Sequence, residues 1–110
     1  MKEPAENLPP ETIEENLPQM LMDLNDLMDK EPERCEELEE QHKKLEEQLG
    51  ALVKKNVPID TEEYKKANEA LRKANKSIKD AMEETEEVAE TIEKVAKVVS
   101  WIEKILSAVA

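Results

Sequence analysis

A heptad repeat of apolar residues constrains this chain more than any other feature of its sequence. In the C-terminal half, one series of residues at seven-residue spacing reads Tyr64, Leu71, Ile78, Thr85, Ile92, Val99, Leu106. A companion series reads Ala67, Ala74, Ala81, Val88, Val95, Ile102, Val109. Sustained spacing of this kind is typical of α-helices that pack side by side through knobs-into-holes contacts. The pattern predicts an all-α fold built on a coiled-coil seam.

The N-terminal half carries the same repeat in a single phase. Its two series read Leu17, Leu24, Glu31, Leu38, Leu45, Leu52 and Leu21, Met28, Cys35, His42, Leu49. With one glycine and no phenylalanine among 110 residues, the composition agrees with long helices rather than with sheets. A chain of this length forms a single domain and buries only a limited core of its own.

The first residues of the chain differ from the rest. Pro4, Pro9 and Pro10 interrupt this stretch, so residues 1–9 are expected to form a flexible N-terminal arm. The heptads begin after them. Residues 10–110 are therefore expected to form one helical-hairpin domain.

Within that domain the pattern predicts three helices. The first two cover about residues 10–30 and 32–55, with a kink at Pro32, which is well placed to begin the second helix. A loop follows at residues 56–60. Neither Gly nor Pro occurs after it, so one helix of about 49 residues, roughly 73 Å long, is expected over residues 61–109.

The short loop forces the helices on either side of it to run antiparallel. Paired residue numbers across the hairpin then sum to about 116 when the loop is centred near Pro58. Residues 32–85 form an arm, and residues 10–31 with 86–110 form a base. The predicted hairpin seam consists of Leu17, Leu21, Leu24, Met28, Leu38, Leu45, Leu49, Leu52, Tyr64, Leu71, Ile78, Val88, Ile92, Val95 and Val99.

The base carries more apolar surface than one seam can use. Six further apolar residues flank its seam, namely Ile13, Met20, Leu27, Val98, Trp101 and Ile105. An apolar face of this width requires additional helices to cover it. We therefore expect these residues to complete a helical bundle by self-association, with a dimer favoured, or by binding a protein partner. A helix lying on a membrane surface is the alternative for this segment.

Charge narrows the range of partners. The net charge is −12, with both ends acidic and the middle slightly basic, so repulsion by phosphates disfavours nucleic acid as a partner. Six charged residues between positions 88 and 110 argue against a transmembrane helix. Cys35 is the single cysteine, which fits a reducing, cytoplasmic location.

Glu39 and His42 form a Glu-x-x-His motif, a spacing that places both side chains on one helix face and that di-iron bundles use. One copy is present, and the predicted register places Ala74 opposite His42, so a metal site is not expected. Histidine phosphotransfer domains are acidic helical bundles of similar length. The small residue that they place shortly after the histidine is missing here.

The stretch EEVAE contains Glu86, Glu87 and Glu90. It resembles the Glu-Glu-x-x-Glu motif of the all-α nucleotide pyrophosphohydrolases. The resemblance implies carboxylates that hold Mg²⁺ against a triphosphate. It covers five residues, and the later Glu-x-x-Asp of that family is absent, because Glu103 is followed by Leu106 at the matching position.

The sequence favours a non-enzymatic coiled-coil interaction or assembly module, with no catalytic residue, no cofactor and no bound metal. This module is expected to bind a protein partner or itself through the apolar base. The alternative is a metal-dependent enzyme resembling the all-α nucleotide pyrophosphohydrolases, which would use the carboxylates of Glu86, Glu87 and Glu90.

Overall fold

Four α-helices make up the part of the chain that the structure describes, residues 12–55 and 57–108. In this computed structural model they are α1 (Ile13–Lys30), α2 (Cys35–Lys55), α3 (Glu62–Met82) and α4 (Val88–Ala108), with a 3₁₀ turn at Pro32–Arg34 before α2. The predicted all-α fold class is confirmed. The predicted flexible arm at residues 1–9 and the predicted helix start at residue 10 lie outside the described residues.

Threonine side chains begin two of the helices. The Thr12 hydroxyl accepts a hydrogen bond from the Glu15 N–H, and the Glu15 carboxylate accepts one from the Thr12 N–H, both at 3.1 Å. Thr61 Oγ1 accepts from the Tyr64 N–H at 3.2 Å. Such caps satisfy N–H groups that the first turn of a helix leaves unpaired. They fix where α1 and α3 begin.

Each helix packs against two others. Both α1 and α4 contact α2 and α3, which places α1 across one diagonal from α4 and α2 across the other from α3. At the start of α1, the Ile13 N–H donates to the Tyr64 hydroxyl near the start of α3, at 2.8 Å. At the end of α1, Lys30 pairs with Glu84, just beyond α3, at 3.3 Å. α1 and α3 therefore run parallel.

Two glutamine side chains show that α2 and α4 are also parallel. The Gln41 amide donates to the carbonyl of Ile92 at 2.9 Å, and the Gln48 amide donates to the carbonyl of Val99 at 3.0 Å. Donor and acceptor both advance by seven residues between these bonds. Because the two side chains bind backbone on the neighbouring helix, they fix the register of α2 against α4.

The predicted single helix over residues 61–109 is interrupted, and this corrects the hairpin. α3 ends at Met82 and α4 begins at Val88, so the chain reverses there as it does at Pro32–Arg34, where only a kink was predicted. Both reversals lie at the same end of the bundle. They fold the predicted arm back onto the predicted base. As a result, α2 and α3 each pack against α1 and α4 instead of pairing with each other.

Local hydrogen bonds form the second reversal without glycine or proline. The Glu83 N–H donates to the Lys79 carbonyl at 3.1 Å. The N–H and the hydroxyl of Thr85 both donate to the Asp80 carbonyl, at 2.8 and 3.0 Å. Glu84 lies between them in the left-handed region, at φ 63°. The carbonyls that the end of α3 would leave unpaired are thus satisfied, as in a helix C-cap.

The predicted seam residues form the core of this bundle. Ten are buried: Leu17, Leu21, Leu24, Leu38, Leu45, Leu52, Tyr64, Leu71, Ile78 and Val95. Five are partly buried against them: Met28, Leu49, Val88, Ile92 and Val99. The heptads therefore identify the inward-facing side chains correctly, although the helices that share the core are arranged differently from the hairpin.

Candidate functional site

Five of the six residues predicted to form an interface lie inside the bundle. Ile13, Met20, Leu27 and Val98 are fully buried, and Ile105 is 3% exposed. One chain supplies four helices and covers these side chains with its own arm. This burial corrects the prediction that a second chain covers them, because in this fold they are not available to another molecule.

Trp101, the sixth residue, is partly exposed and lies in a groove between α3 and α4. The groove has a volume of about 480 Å³. Its lining consists of Lys66, Glu69, Ala70, Lys73, Lys94, Lys97 and Trp101. We call it the basic groove, because four of these seven residues are lysines.

Two lysines lie over the indole ring. Lys104 Nζ is 4.5 Å from the ring centroid and Lys66 Nζ is 5.7 Å from it. An ammonium group at this distance from the face of a tryptophan ring is attracted by the electrons of the ring. Trp101 therefore helps to hold positive charge at the mouth of the basic groove.

A polar network that is largely buried adjoins the basic groove at Lys94. Glu86 binds the Lys94 ammonium at 3.3 Å and accepts hydrogen bonds from the hydroxyls of Ser77 and Thr91. The Ser77 and Thr91 side chains are almost completely buried and lie 2.8 Å apart, oxygen to oxygen. The network joins the end of α3 to the start of α4 and holds Lys94 at the groove wall.

The opposite side of the bundle, between α1 and α2, is acidic. A groove of about 940 Å³ there is lined by Asn25, Met28, Glu36, Glu37, Glu39, Glu40, His42, Lys43 and Glu46. Because α1 and α2 lie opposite α3 and α4 in the bundle, the two grooves face in opposite directions. The molecule is therefore electrostatically polar, with a negative side and a locally positive side.

The Glu-x-x-His motif lies in this acidic groove. His42 Nδ1 is 3.6 Å from Glu46 Oε1, one helical turn further along α2, and Glu39 lines the same groove. Within residues 12–55 and 57–108, no three His, Cys, Asp or Glu side chains are placed to hold a metal ion. The carboxylate beside His42 is therefore that of Glu46, which lies outside the Glu-x-x-His motif.

The EEVAE carboxylates lie at the second chain reversal. Glu86 faces inward, with its side chain 14% exposed, and is engaged by the network described above. The Glu87 carbonyl accepts from the N–H groups of Glu90 and Thr91 at 3.1 and 3.2 Å, in the first turn of α4. Glu87 and Glu90 are exposed. Glu86 therefore has structural contacts that the sequence motif did not indicate.

Tyr64 is a buried polar residue that the heptads identified only as part of the seam. Its hydroxyl accepts from the Ile13 N–H and donates to the Glu14 carboxylate at 2.5 Å. Burial raises the pKa of Tyr64 well above its ordinary value, and the bonded Glu14 carboxylate raises it further. The neutral phenol is thus the form that joins the starts of α1 and α3.

Alkaline pH is expected to destabilise the fold through Tyr64. In the unfolded chain the phenol ionises near pH 10, whereas the folded chain retains the proton to higher pH. The unfolded state then binds fewer protons, so the free energy of unfolding falls as pH rises above about 10. The free energy of unfolding, measured by urea denaturation from pH 8 to 11, should fall more steeply with pH for the wild type than for Tyr64→Phe.

The Tyr64→Phe variant also serves as the control, because lysines titrate in the same pH range in both proteins. At pH 8 it should be less stable than the wild type by about 1–2 kcal/mol, since the Ile13 N–H and the Glu14 carboxylate lose a buried partner. Equal slopes for the two proteins above pH 10 would contradict the role assigned to the phenol.

Comparison of the chain with protein-family models, with curated proteins and with solved structures gives no significant match. The class of the protein is therefore defined by its own geometry, as a four-helix bundle with an acidic side and a basic groove. None of the helices in residues 12–55 and 57–108 has the length and apolar character needed to cross a membrane.

Proposed function

We propose that the chain is a non-enzymatic interaction module that binds an acidic protein segment in the basic groove. The observation that carries this proposal is the position of Trp101, partly exposed between α3 and α4 and surrounded by lysines. An apolar ring beside several cations offers a partner both area to bury and charges to pair with. The proposed binding surface is therefore this groove and not the apolar base that the sequence suggested.

Electrostatics favour an acidic segment as the occupant. In a chain with a net charge of −12, a local group of lysines is where an acidic segment meets least repulsion and most attraction. Exposed lysine–carboxylate pairs are worth about 0.2–1 kcal/mol each. Several such pairs together with contact on Trp101 would give a weak, reversible interaction of the kind expected of an assembly module.

The contacts of Glu86 support a structural role for the EEVAE segment. Its carboxylate binds Ser77, Thr91 and Lys94 within the chain, and these bonds connect α3 to α4. A carboxylate used in this way positions a wall of the basic groove. The segment therefore contributes to the proposed binding surface through Lys94.

Reversing the charge of two groove lysines should weaken binding of an acidic peptide. Lys73 and Lys97 line the groove from α3 and α4 and are exposed, so Lys73→Glu/Lys97→Glu should leave the fold intact. Each substitution removes an attraction and adds a repulsion, and together they should raise the dissociation constant at least about tenfold. A glutamate-rich peptide titrated against Trp101 fluorescence at low ionic strength measures this change.

The matched control reverses two exposed lysines away from the groove. Lys54→Glu/Lys55→Glu alters the net charge by the same amount at the end of α2. It therefore distinguishes the effect of the groove lysines on affinity from the effect of the overall charge. The proposal predicts a much smaller loss of affinity in this control. Equal losses in both variants, or no binding of the peptide to the wild type, would overturn it.

A further inference from the structure

We infer that the acidic segment held by the basic groove is α2 of a second copy of this chain. The inference rests on the proposed function and names its partner. The exposed surface of α2 carries Glu39, Glu40, Glu46 and Glu47, of which the first three also line the groove toward α1. We call these four residues the acidic ridge.

The two surfaces are separate in one molecule. The acidic ridge lies on α2, and the basic groove lies between α3 and α4, with α2 diagonal to α3 across the bundle. A molecule can therefore place its ridge in the groove of one neighbour while its own groove receives the ridge of another. Such a contact is heterologous, joining different patches of two identical chains, and it produces a ring or an open series of copies.

The charges on the two surfaces have the same spacing. Lys66 and Lys73 on α3 are seven residues apart, as are Lys97 and Lys104 on α4. Seven residues of helix span about 10.5 Å. The glutamates of the acidic ridge form two rows with this same interval, Glu39 with Glu46 and Glu40 with Glu47.

The shape of α2 suits a groove between two helices. The two glutamate rows lie on either side of the outward ridge of α2, because side chains seven residues apart stack along a helix and adjacent residues diverge. A ridge set between α3 and α4 would therefore turn one row toward the α3 lysines and the other toward the α4 lysines. Packing of a helix ridge into a groove is the ordinary mode of helix association.

Two lysines of α2 reduce the negative charge of its outward surface without reversing it. Lys43 is exposed between the two glutamate rows and Lys44 is exposed beside them, but the four glutamates of the ridge and the nearby Glu36 outnumber these lysines. The net charge of −12 on each copy adds long-range repulsion. We therefore expect association to be reversible and to increase with protein concentration.

Two complementary variants test this contact. Variant A, Lys73→Glu/Lys97→Glu, loses the basic groove and keeps the acidic ridge. Variant B, which replaces the four ridge glutamates by glutamine, loses the ridge and keeps the groove. All six positions are exposed, so both variants should retain wild-type helicity by circular dichroism.

Sedimentation velocity measures the association of the wild type and of the two variants. The wild type should form a series of oligomers as concentration rises, and each variant alone should remain monomeric. An equimolar mixture of A and B should form a dimer and nothing larger, because only the ridge of A and the groove of B are intact. The dissociation constant of variant A with itself should exceed that of the A–B pair at least about tenfold.

Other results would overturn the inference. A wild type that stays monomeric at every concentration, or a variant B that assembles like the wild type, would show that α2 does not occupy the groove. The glutamate-rich peptide then separates the two proposals. If the wild type binds the peptide in the groove while remaining monomeric, the proposed function stands and the self-association fails; without peptide binding, both fail.

Discussion

A chain in which Val98 and Ile105 are both replaced by lysine is expected to be unfolded. Both side chains are inside the bundle, Val98 fully and Ile105 with 3% exposure. Each substitution removes about 1.5–3 kcal/mol of apolar burial and places an ammonium group where it has no partner, at a further cost. Native domains are stable by only about 5–15 kcal/mol in total. Circular dichroism should show loss of helix, and Trp101 emission should shift to the red.

The control also introduces two lysines, but on the outside of α4. Ser100 and Glu103 are exposed neighbours of these positions, so Ser100→Lys/Glu103→Lys should remain helical and lose little stability. The sequence alone favoured the opposite outcome for Val98 and Ile105, because it placed them on an open apolar face. A folded, helical Val98→Lys/Ile105→Lys protein would show that this face is open to solvent or to a second chain.

The heptads predict which residues are inside the protein, and they do so because burial requires only the correct helical period. Leu24, Leu45, Leu71 and Val95, one from each helix, are fully buried as the seam predicts. The same residues would be buried in a long hairpin paired with another molecule. Periodicity therefore determines the inward face of each helix but leaves open which helices share the core.

The reversal between Met82 and Val88 decides between those arrangements, and it carries no glycine or proline. Its bonds run from the Thr85 hydroxyl to the Asp80 carbonyl and from the Ser77 hydroxyl to the Glu86 carboxylate, and these medium-range contacts are not revealed by residue preferences. A signal was present, since Glu31 and Thr85 are polar positions in otherwise apolar seam series. Glu31 and Thr85 lie at the two reversals, at the same end of the bundle.

The basic groove depends on that reversal and could not be read from spacing alone. Lys66 and Lys73 belong to α3, whereas Lys97 and Lys104 belong to α4. In a continuous helix, Lys66 and Lys104 would be roughly 57 Å apart, but in the bundle both lie over the ring of Trp101. The sequence identified Trp101 as a candidate contact residue, and the fold supplies the lysines around it.

Energy transfer from Trp101 should reveal the fold of the chain in solution. The bonds of Gln41 with Ile92 and of Gln48 with Val99 set the register of α2 against α4. The same register places Gly50 of α2 level with Trp101 of the adjacent α4. A thiol-reactive acceptor attached in Cys35→Ser/Gly50→Cys should therefore quench Trp101 strongly. Gly50 is exposed, and a Cβ there meets no atom within 4 Å beyond its chain neighbours and the adjacent backbone of its own helix, so the label should not disturb the packing of α2.

The wild type labelled at Cys35 provides the comparison, and the order of the two efficiencies is the decisive result. In the bundle, Cys35 lies about 15 residues from the level of Trp101, or roughly 22 Å along the helix axis, so transfer to it should be weaker than to residue 50. In an extended hairpin the order reverses, because residue 50 would be roughly 50 Å from Trp101 and Cys35 roughly 30 Å. Stronger quenching from Cys35 would therefore mean that the chain does not fold back at residues 83–87, and that α3 and α4 do not form the groove.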